Sequence, residues 1–597
     1  MKKQLTRNEV DGNYKWDLTK IYENDELWEK DYNKIKEEIK KITSFQGIFT
    51  KSAKNLYEFL VFENEIDRKM SKLYYYAHLK HDEDTTNPIY QTLYGKIDDL
   101  MSEYATLSSF TSPEMLQINY ETVKEYMEEE PRLKEYAFNL ENFYRFEKHI
   151  LNTESEELLS NFSSSLSAPE EIYESLTDSD MKFGHITVND EEVELTESNY
   201  SKYIKSYDRN VRKEAFTRIF ETYGGLKNTI AKTFKGNVDV LTSMAKVKHY
   251  NNSLEASLYS DNISEQVYHN LIDTVHQKMD VIYKYFNMKK ELLNLDELHL
   301  YDIYTPLIET KTKEYTFEEA KDIVLKALAP LGEGYIKDLK QAFEQKWIDV
   351  YNNVGKRGGA YSSGFYDTYP YVLLNFEGTL NDVSTLAHEL GHSMHTYYSC
   401  KNNPYQTSSY KIFVAEVAST VNELLLNHYL LETSKDKNEK LTILNNLMEL
   451  YKSTIYRQVM FAEFERDMHA KKENGEVLTA DLLCNEYYEL NKKYFGDNVV
   501  LDDLIKYEWE RIPHFYYDFY VYKYAIGLSS ACHIVNNILN HRENALENYL
   551  KFLSLGGSDY PANELLVAGV DVTKSDFIIS AIDMFEKVIE EFYTLVK

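Results

Sequence analysis

The chain has 597 residues, enough for roughly three to four domains at about 150 residues each and for a large core. Glycine (21) and proline (10) make up about 5% of it, against an average near 12%, which excludes collagen-like and low-complexity chains and disfavours turn-rich β-sandwiches and propellers. The net charge of −31, from 67 basic and 98 acidic residues, repels phosphate backbones and anionic lipid, so neither a nucleic-acid nor a membrane partner is expected.

The poverty in helix breakers predicts a mainly α protein. The opening segment MKKQLTRNEVDGNYKWDL carries two lysines but no apolar h-region, so no signal peptide is expected. Apolar residues recur at three- and four-residue spacing over 26–45, 55–82, 86–108 and 114–128, which predicts helices. Pro131 and the stretch 155–160 mark breaks and restarts. The first strand signal is HITVNDEEVELT (185–196), two alternating runs about Asn189-Asp190 that read as a hairpin. Helical patterning resumes over 208–248 and 264–294, and a soft boundary near 200 divides an N-terminal region, 1–200, from 201–597. No repeat of solenoid period is present, and no stretch approaches the about 18 uncharged apolar residues of a spanning helix.

Residues 355–378 differ from what precedes them. GKRGGAYSSG (355–364) reads as a flexible loop and YVLLNFEG (371–378) as a short β-like run. Gly355-Lys356 lacks the flanking residues of a nucleotide-binding loop. A loop whose backbone approaches a peptide is the better reading, with 371–376 offering a strand edge. A helix then opens at 381–398, with Asn381 or Asp382 as N-cap, and another fills 410–431. Helices continue to the C-terminus, broken by LGGSDYP (555–561). The cysteines, Cys400, Cys484 and Cys532, are odd in number and far apart, which predicts reduced thiols and a cytoplasmic protein.

The sharpest feature is His388-Glu389-Leu390-Gly391-His392. On a helix, residues i and i+4 share a face, so both imidazoles can reach one metal ion. Glu389 points about 100° further round, where a carboxylate can take a proton from an activated water. A catalytic zinc wants a third protein ligand and an open position. His395 shares the face of His392, but the better candidate is Glu416, the sole charge in IFVAEVASTV (412–421). Glu423 lies two turns further along the same face, where it can hold a ligand imidazole by its other N–H.

Far downstream, ERIPHFYYDFYVYKYAIG (510–527) is rich in aromatics, most of which read as core. Tyr517 and Tyr524 are seven residues apart, hence on one helix face, with His514 just before them. Two hydroxyls and an imidazole on one wall are what a developing oxyanion needs.

These residues resemble a known family. HELGHSMH, FVAEVAST with Glu423 after it, and HFYYDFYVYKYAIG look like the M3 family of zinc metallopeptidases, oligoendopeptidase F (PepF) type. LKEYAFNLENFYRFEKHIL (133–151), YDRNVRKEAF (207–216), LEASLYSDNIS (254–264), GKRGGAYSSG (355–364) and LGGSDYPANELLVAGVDVT (555–573) resemble it too, so the likeness covers nearly the whole chain. It implies a two-lobed helical body with a deep substrate channel and a small β-sheet beside the HExxH helix. Residues 1–200 would form part of the channel wall and 201–597 the catalytic domain. It implies one zinc ion on His388, His392 and Glu416, with Glu389 as general base and His395 not a ligand. His514, Tyr517 and Tyr524 would stabilise the tetrahedral intermediate. The activity implied is cytoplasmic hydrolysis of internal bonds in short peptides. The oligomeric state stays open.

Overall fold

The computed structural model describes residues 5–308 and 313–597. It is mainly α, with two small sheets among the described residues. The chain divides into two compact units, each drawn from three segments. One comprises Met1–Lys148, Thr312–Tyr429 and Ile534–Gly569; the other comprises His149–Lys311, Leu430–His533 and Val570–Lys597. Both take segments from before and after residue 200.

The first unit begins with helices at Asp25–Glu38, Ala53–Glu83, Pro88–Leu107 and Tyr120–Glu129. Asn24, Ser52, Asn87 and Asn119 cap them, each side chain accepting a backbone N–H of the first turn. The run expected over 26–45 is α-helical to Glu38 and tightens to a 3-10 helix over Ile39–Phe45. The run expected over 114–128 is two helices, because Asn119 starts a new one after the short helix Thr111–Met115. Their inner faces bury Trp28, Ile35, Met70, Leu73 and Ile97, and the Trp28 indole N–H donates to the Leu73 carbonyl at 2.9 Å.

In the second unit the hairpin stands where the sequence put it. Strands β1 (His185–Val188) and β2 (Glu191–Glu194) pair antiparallel, and Asn189 and Asp190 both take positive φ, 53° and 65°, as a tight two-residue hairpin turn requires.

A three-stranded sheet lies in the first unit. Strands β3 (Ile348–Asp349), β4 (Tyr361–Ser363) and β5 (Tyr371–Leu373) are ordered β3-β5-β4. The segment expected to offer an edge is therefore central: β5 pairs parallel with β3 and antiparallel with β4. The outer side of β3 is met by the N-terminal segment, through Val350 N–H to Tyr14 O and Asp17 N–H to Lys346 O, both 2.9 Å. Among the described residues, β4 pairs only with β5. Lys356 is an internal pin rather than a phosphate ligand. Its ammonium donates to Asp349 Oδ1 at 2.7 Å and to the carbonyls of Tyr351 and Leu374 at 2.8 and 2.6 Å, which ties the glycine-rich loop to the sheet.

One buried carboxyl couples stability to pH. Glu510 is fully buried, and neither carboxyl oxygen has a partner among the described residues. Burial pushes it up to about 9, against the pull of Lys227. Its folded-state value lies above the unfolded one, near 4.3, so the folded state holds the extra proton and stability falls as pH rises between the two. Glu510→Gln should therefore raise the melting temperature relative to the parent at pH 8, by about 1–3 kcal/mol of stability, and change it little at pH 4. An equal shift at both pH values would contradict this.

Candidate active site

Helix Leu380–Asn402 carries the His388–His392 motif. Its N-cap is Thr379, not Asn381 or Asp382. Asp382 is instead the reciprocal partner of a capping box, accepting the Thr379 backbone N–H at 2.8 Å while the Thr379 hydroxyl accepts the Asp382 N–H. Leu386, Ala387, Leu390 and Met394 are fully buried and seat the helix. Ser393 Oγ lies 2.8 Å from Ser362 Oγ, so β4 is fastened directly to the motif helix.

Helix Ile412–Thr433 crosses it at Gly391. A Cβ at Gly391 would stand 2.5 Å from Ser419 Cα and 2.7 Å from Ala418 O, so only glycine permits this approach. Asn422, wholly buried, secures the crossing by donating to Ala387 O at 3.0 Å. Gly391→Ala must push the helices apart. We expect a loss of about 1–3 kcal/mol of stability, together with weaker metal binding. Unchanged melting and unchanged zinc affinity would count against this reading.

The crossing brings His388, His392 and Glu416 together, with one donor atom from each within 4.8 Å of the others. The two Nε2 atoms are 3.2 Å apart, and each is 3.5 Å from Glu416 Oε2. Tetrahedral donors about 2.0–2.1 Å from one zinc ion are about 3.3–3.4 Å apart, so two imidazoles and a carboxylate at this spacing fit such an ion. Glu416 is less enclosed than an apolar run implies: its side chain is 44% exposed. Its partners are the two imidazoles and Ser419, whose hydroxyl donates to Oε2 at 3.0 Å. Burial raises its pKa, but the hydrogen bond from His392 and the charge of both imidazoles outweigh this and hold it at about 2.

Glu423, two turns along from Glu416, accepts the His388 Nδ1–H at 2.6 Å. That bond fixes the ring and turns Nε2 toward the cluster. Burial opposes protonation of His388, but Glu423, Glu389 and Glu416 raise its pKa to about 9. Glu423→Ala should weaken zinc binding about 10–100-fold in a chelator competition while the fold survives; undiminished affinity would remove Glu423 from this role. Glu389 is nearly buried, at 7% exposed. Burial raises its pKa, opposed by His388 and His392. His395 lies outside the cluster: it is buried and stacked on Tyr410 at 3.7 Å, and burial pulls its pKa down to about 3.

The aromatic segment lies in the second unit and differs from the expectation of a single helix face. His514 sits in a 3-10 turn, Pro513–Tyr516, and Tyr524 in helix Tyr522–Leu539. Between them the backbone turns left-handed at two non-glycine residues, Asp518 (φ 49°) and Phe519 (φ 56°). The seven-residue spacing therefore does not place Tyr517 and Tyr524 on one face. The turn instead gathers both around His514: the His514 ring is 5.6 Å from that of Tyr517 and 6.0 Å from that of Tyr524. Tyr524 Oη lies 3.5 Å from His514 Nε2. Tyr517 is exposed, and burial lowers the His514 pKa. Most other aromatics of the stretch, Phe515, Tyr516, Phe519 and Tyr522, are core, as expected.

Three supporting residues were not singled out from the sequence: Gly391, Ser419 and Asn422. Their signals were present as a glycine inside a helix, a serine one turn after Glu416, and an amide immediately before Glu423.

A helical scaffold with this motif and a carboxylate from the crossing helix defines a hydrolase of the metallopeptidase class. Comparison with known proteins agrees. Residues 202–584 match the profile of peptidase family M3, and 114–183 match that of oligopeptidase F. The chain is 42% identical to oligopeptidase PepF of Bacillus subtilis, covering 98% of this chain and 88% of that one. A crystallised Chlamydophila abortus protein assigned as a peptidase superposes with a TM-score of 0.93 at 38% identity, covering 99% of this chain and 100% of that one. The crystal structure of oligoendopeptidase-F from Enterococcus faecium gives 0.73 at 34% identity, covering 96% and 99%. The chain belongs to peptidase family M3.

Proposed function

We propose that the protein is a zinc-dependent oligoendopeptidase that hydrolyses internal bonds of short peptides in the cytoplasm. The observation that carries this reading is the convergence of His388, His392 and Glu416 beside the nearly buried Glu389. Relatives named oligopeptidase and oligoendopeptidase F support the substrate class. Three free thiols suit a reducing compartment. No helix among the described residues is long and apolar enough to cross a membrane. In this reading 201–597 carries the chemistry, supported by the family match over 202–584, and 1–200 forms part of the channel wall.

A zinc ion on the three ligands supplies Lewis acidity to the attacking water and the scissile carbonyl. Glu389 takes the proton of that water and later delivers it to the leaving amine nitrogen. Glu423 keeps the His388 ring in place throughout. His514, Tyr517 and Tyr524 donate hydrogen bonds to the developing oxyanion. Strand β4 pairs its outer edge with the substrate backbone.

The test is a quenched peptide blocked at both ends. An oligoendopeptidase cuts it internally, whereas an exopeptidase with the same metal motif leaves it whole. Intact peptide after prolonged incubation with the zinc-loaded protein would overturn the proposal.

A further inference from the structure

The Asp518–Phe519 turn is held from behind by residues far away in sequence. Left-handed backbone costs about 1–3 kcal/mol at a non-glycine residue, and here two stand in succession. Glu465, on helix Gln458–Glu473, is fully buried and accepts the Phe519 backbone N–H on Oε1 at 2.8 Å. One turn along the same helix, His469 packs against the Phe519 ring at 4.5 Å. His469 is itself fixed by Ser253 Oγ, 2.8 Å from its Nδ1. From helix Ser253–Tyr259, the Ser257 hydroxyl donates to the Asp518 carbonyl at 2.7 Å. The turn is thus clamped at its N–H, its carbonyl and its ring, by two helices.

We propose that Glu465 is a positioning residue of the peptidase reaction: by accepting the Phe519 N–H it fixes the left-handed turn that carries His514 and Tyr517 on one side and Tyr524 on the other. This rests on the reading above that those three residues stabilise the oxyanion. Tyr524 Oη lies 3.5 Å from His514 Nε2, at the long limit of a hydrogen bond, so that contact is weak and the turn between the two residues contributes to their spacing. A buried acceptor suits the task because the strained backbone N–H has no water to turn to. Burial pushes the Glu465 carboxyl up to about 8, against the Phe519 hydrogen bond. At neutral pH it is mostly the uncharged acid, for which glutamine is a close replacement that keeps the acceptor oxygen.

The experiment is steady-state cleavage of a doubly blocked peptide by zinc-loaded Glu465→Met, Glu465→Gln and Tyr524→Phe, with zinc content and melting temperature recorded for each. Displacing a reacting group by about 1 Å costs up to about 10²-fold. Glu465→Met should therefore lower kcat at least about tenfold with KM and zinc content little changed, while Glu465→Gln stays within about threefold of the parent. A Glu465→Met enzyme with parental kcat, or a Glu465→Gln enzyme as slow as Glu465→Met, overturns the proposal. If Glu465→Met does not fold, Ser257→Ala probes the other clamp from the side of Asp518: a severalfold fall in kcat at constant KM supports the role of the turn, and an unchanged kcat overturns it. Tyr524→Phe separates the two layers. Should it keep the parental kcat, the oxyanion reading fails and this proposal falls with it. Should it be impaired while Glu465→Met is not, the role of Glu465 alone fails.

Discussion

Glu389→Gln should retain one zinc per chain and lose nearly all peptidase activity. The substitution keeps side-chain volume on a helix face where Glu389 is only 7% exposed, so packing survives. It removes the one property the proposed reaction asks of this position, a carboxylate that can accept a proton and give it back. General acid–base catalysis contributes about 10²–10⁴-fold, and a group used twice in one cycle belongs at the upper end of that range. Burial raises the Glu389 pKa, which makes the carboxylate a stronger proton acceptor than an exposed glutamate, while His388 and His392 keep the shift in check. Because Glu389 is not a member of the three-residue donor cluster, zinc content should be untouched. A Glu389→Gln protein that cleaved peptides at the parental rate would remove the general base from the account.

The second large effect is at Glu416. Glu416→Gln should leave the fold intact but yield protein with far less than one zinc per chain after dialysis, and correspondingly little activity. The side chain is 44% exposed and, among the described residues, bonds Ser419 besides meeting the two imidazoles, so little packing depends on it. Its anionic charge is what the cluster loses, leaving two neutral imidazole donors for the ion. The carboxylate is held at about 2 in the folded protein, below its unfolded value near 4.3. Its favourable interaction with the imidazoles is thus present above the unfolded value and fades as pH falls toward 2. Stoichiometric zinc and full activity in Glu416→Gln would show that the third ligand lies elsewhere.

Much of this site was legible in the sequence because its logic is local. His388 and His392 share a face through i,i+4 spacing alone, and Glu423 follows Glu416 by two turns of one helix. Glu416 stood out as a lone charge in an apolar run. The hairpin at Asn189-Asp190 was legible for the same reason, since its turn chemistry is carried by two adjacent residues. What the sequence hid depends on distant partners. The aromatic stretch has helical spacing, but helix Tyr522–Leu539 begins only after a left-handed turn that Glu465 and Ser257 enforce from other helices. Strand order is equally non-local: 371–376 looked like an edge, and the pairing of β3 and β4 on either side of β5 made it the centre. The Thr379 cap was missed although T-x-x-D is a recognisable box, because Asn381 and Asp382 are themselves good caps.

One zinc ion on His388, His392 and Glu416 should be required for peptide hydrolysis. The most direct test strips the protein with a chelator and titrates zinc back while following cleavage of a doubly blocked peptide. Activity should be absent in the stripped protein and rise in proportion to added zinc, with a break at one equivalent per chain. Full activity in the stripped protein, or a return that needs more than one tightly bound ion, would contradict it.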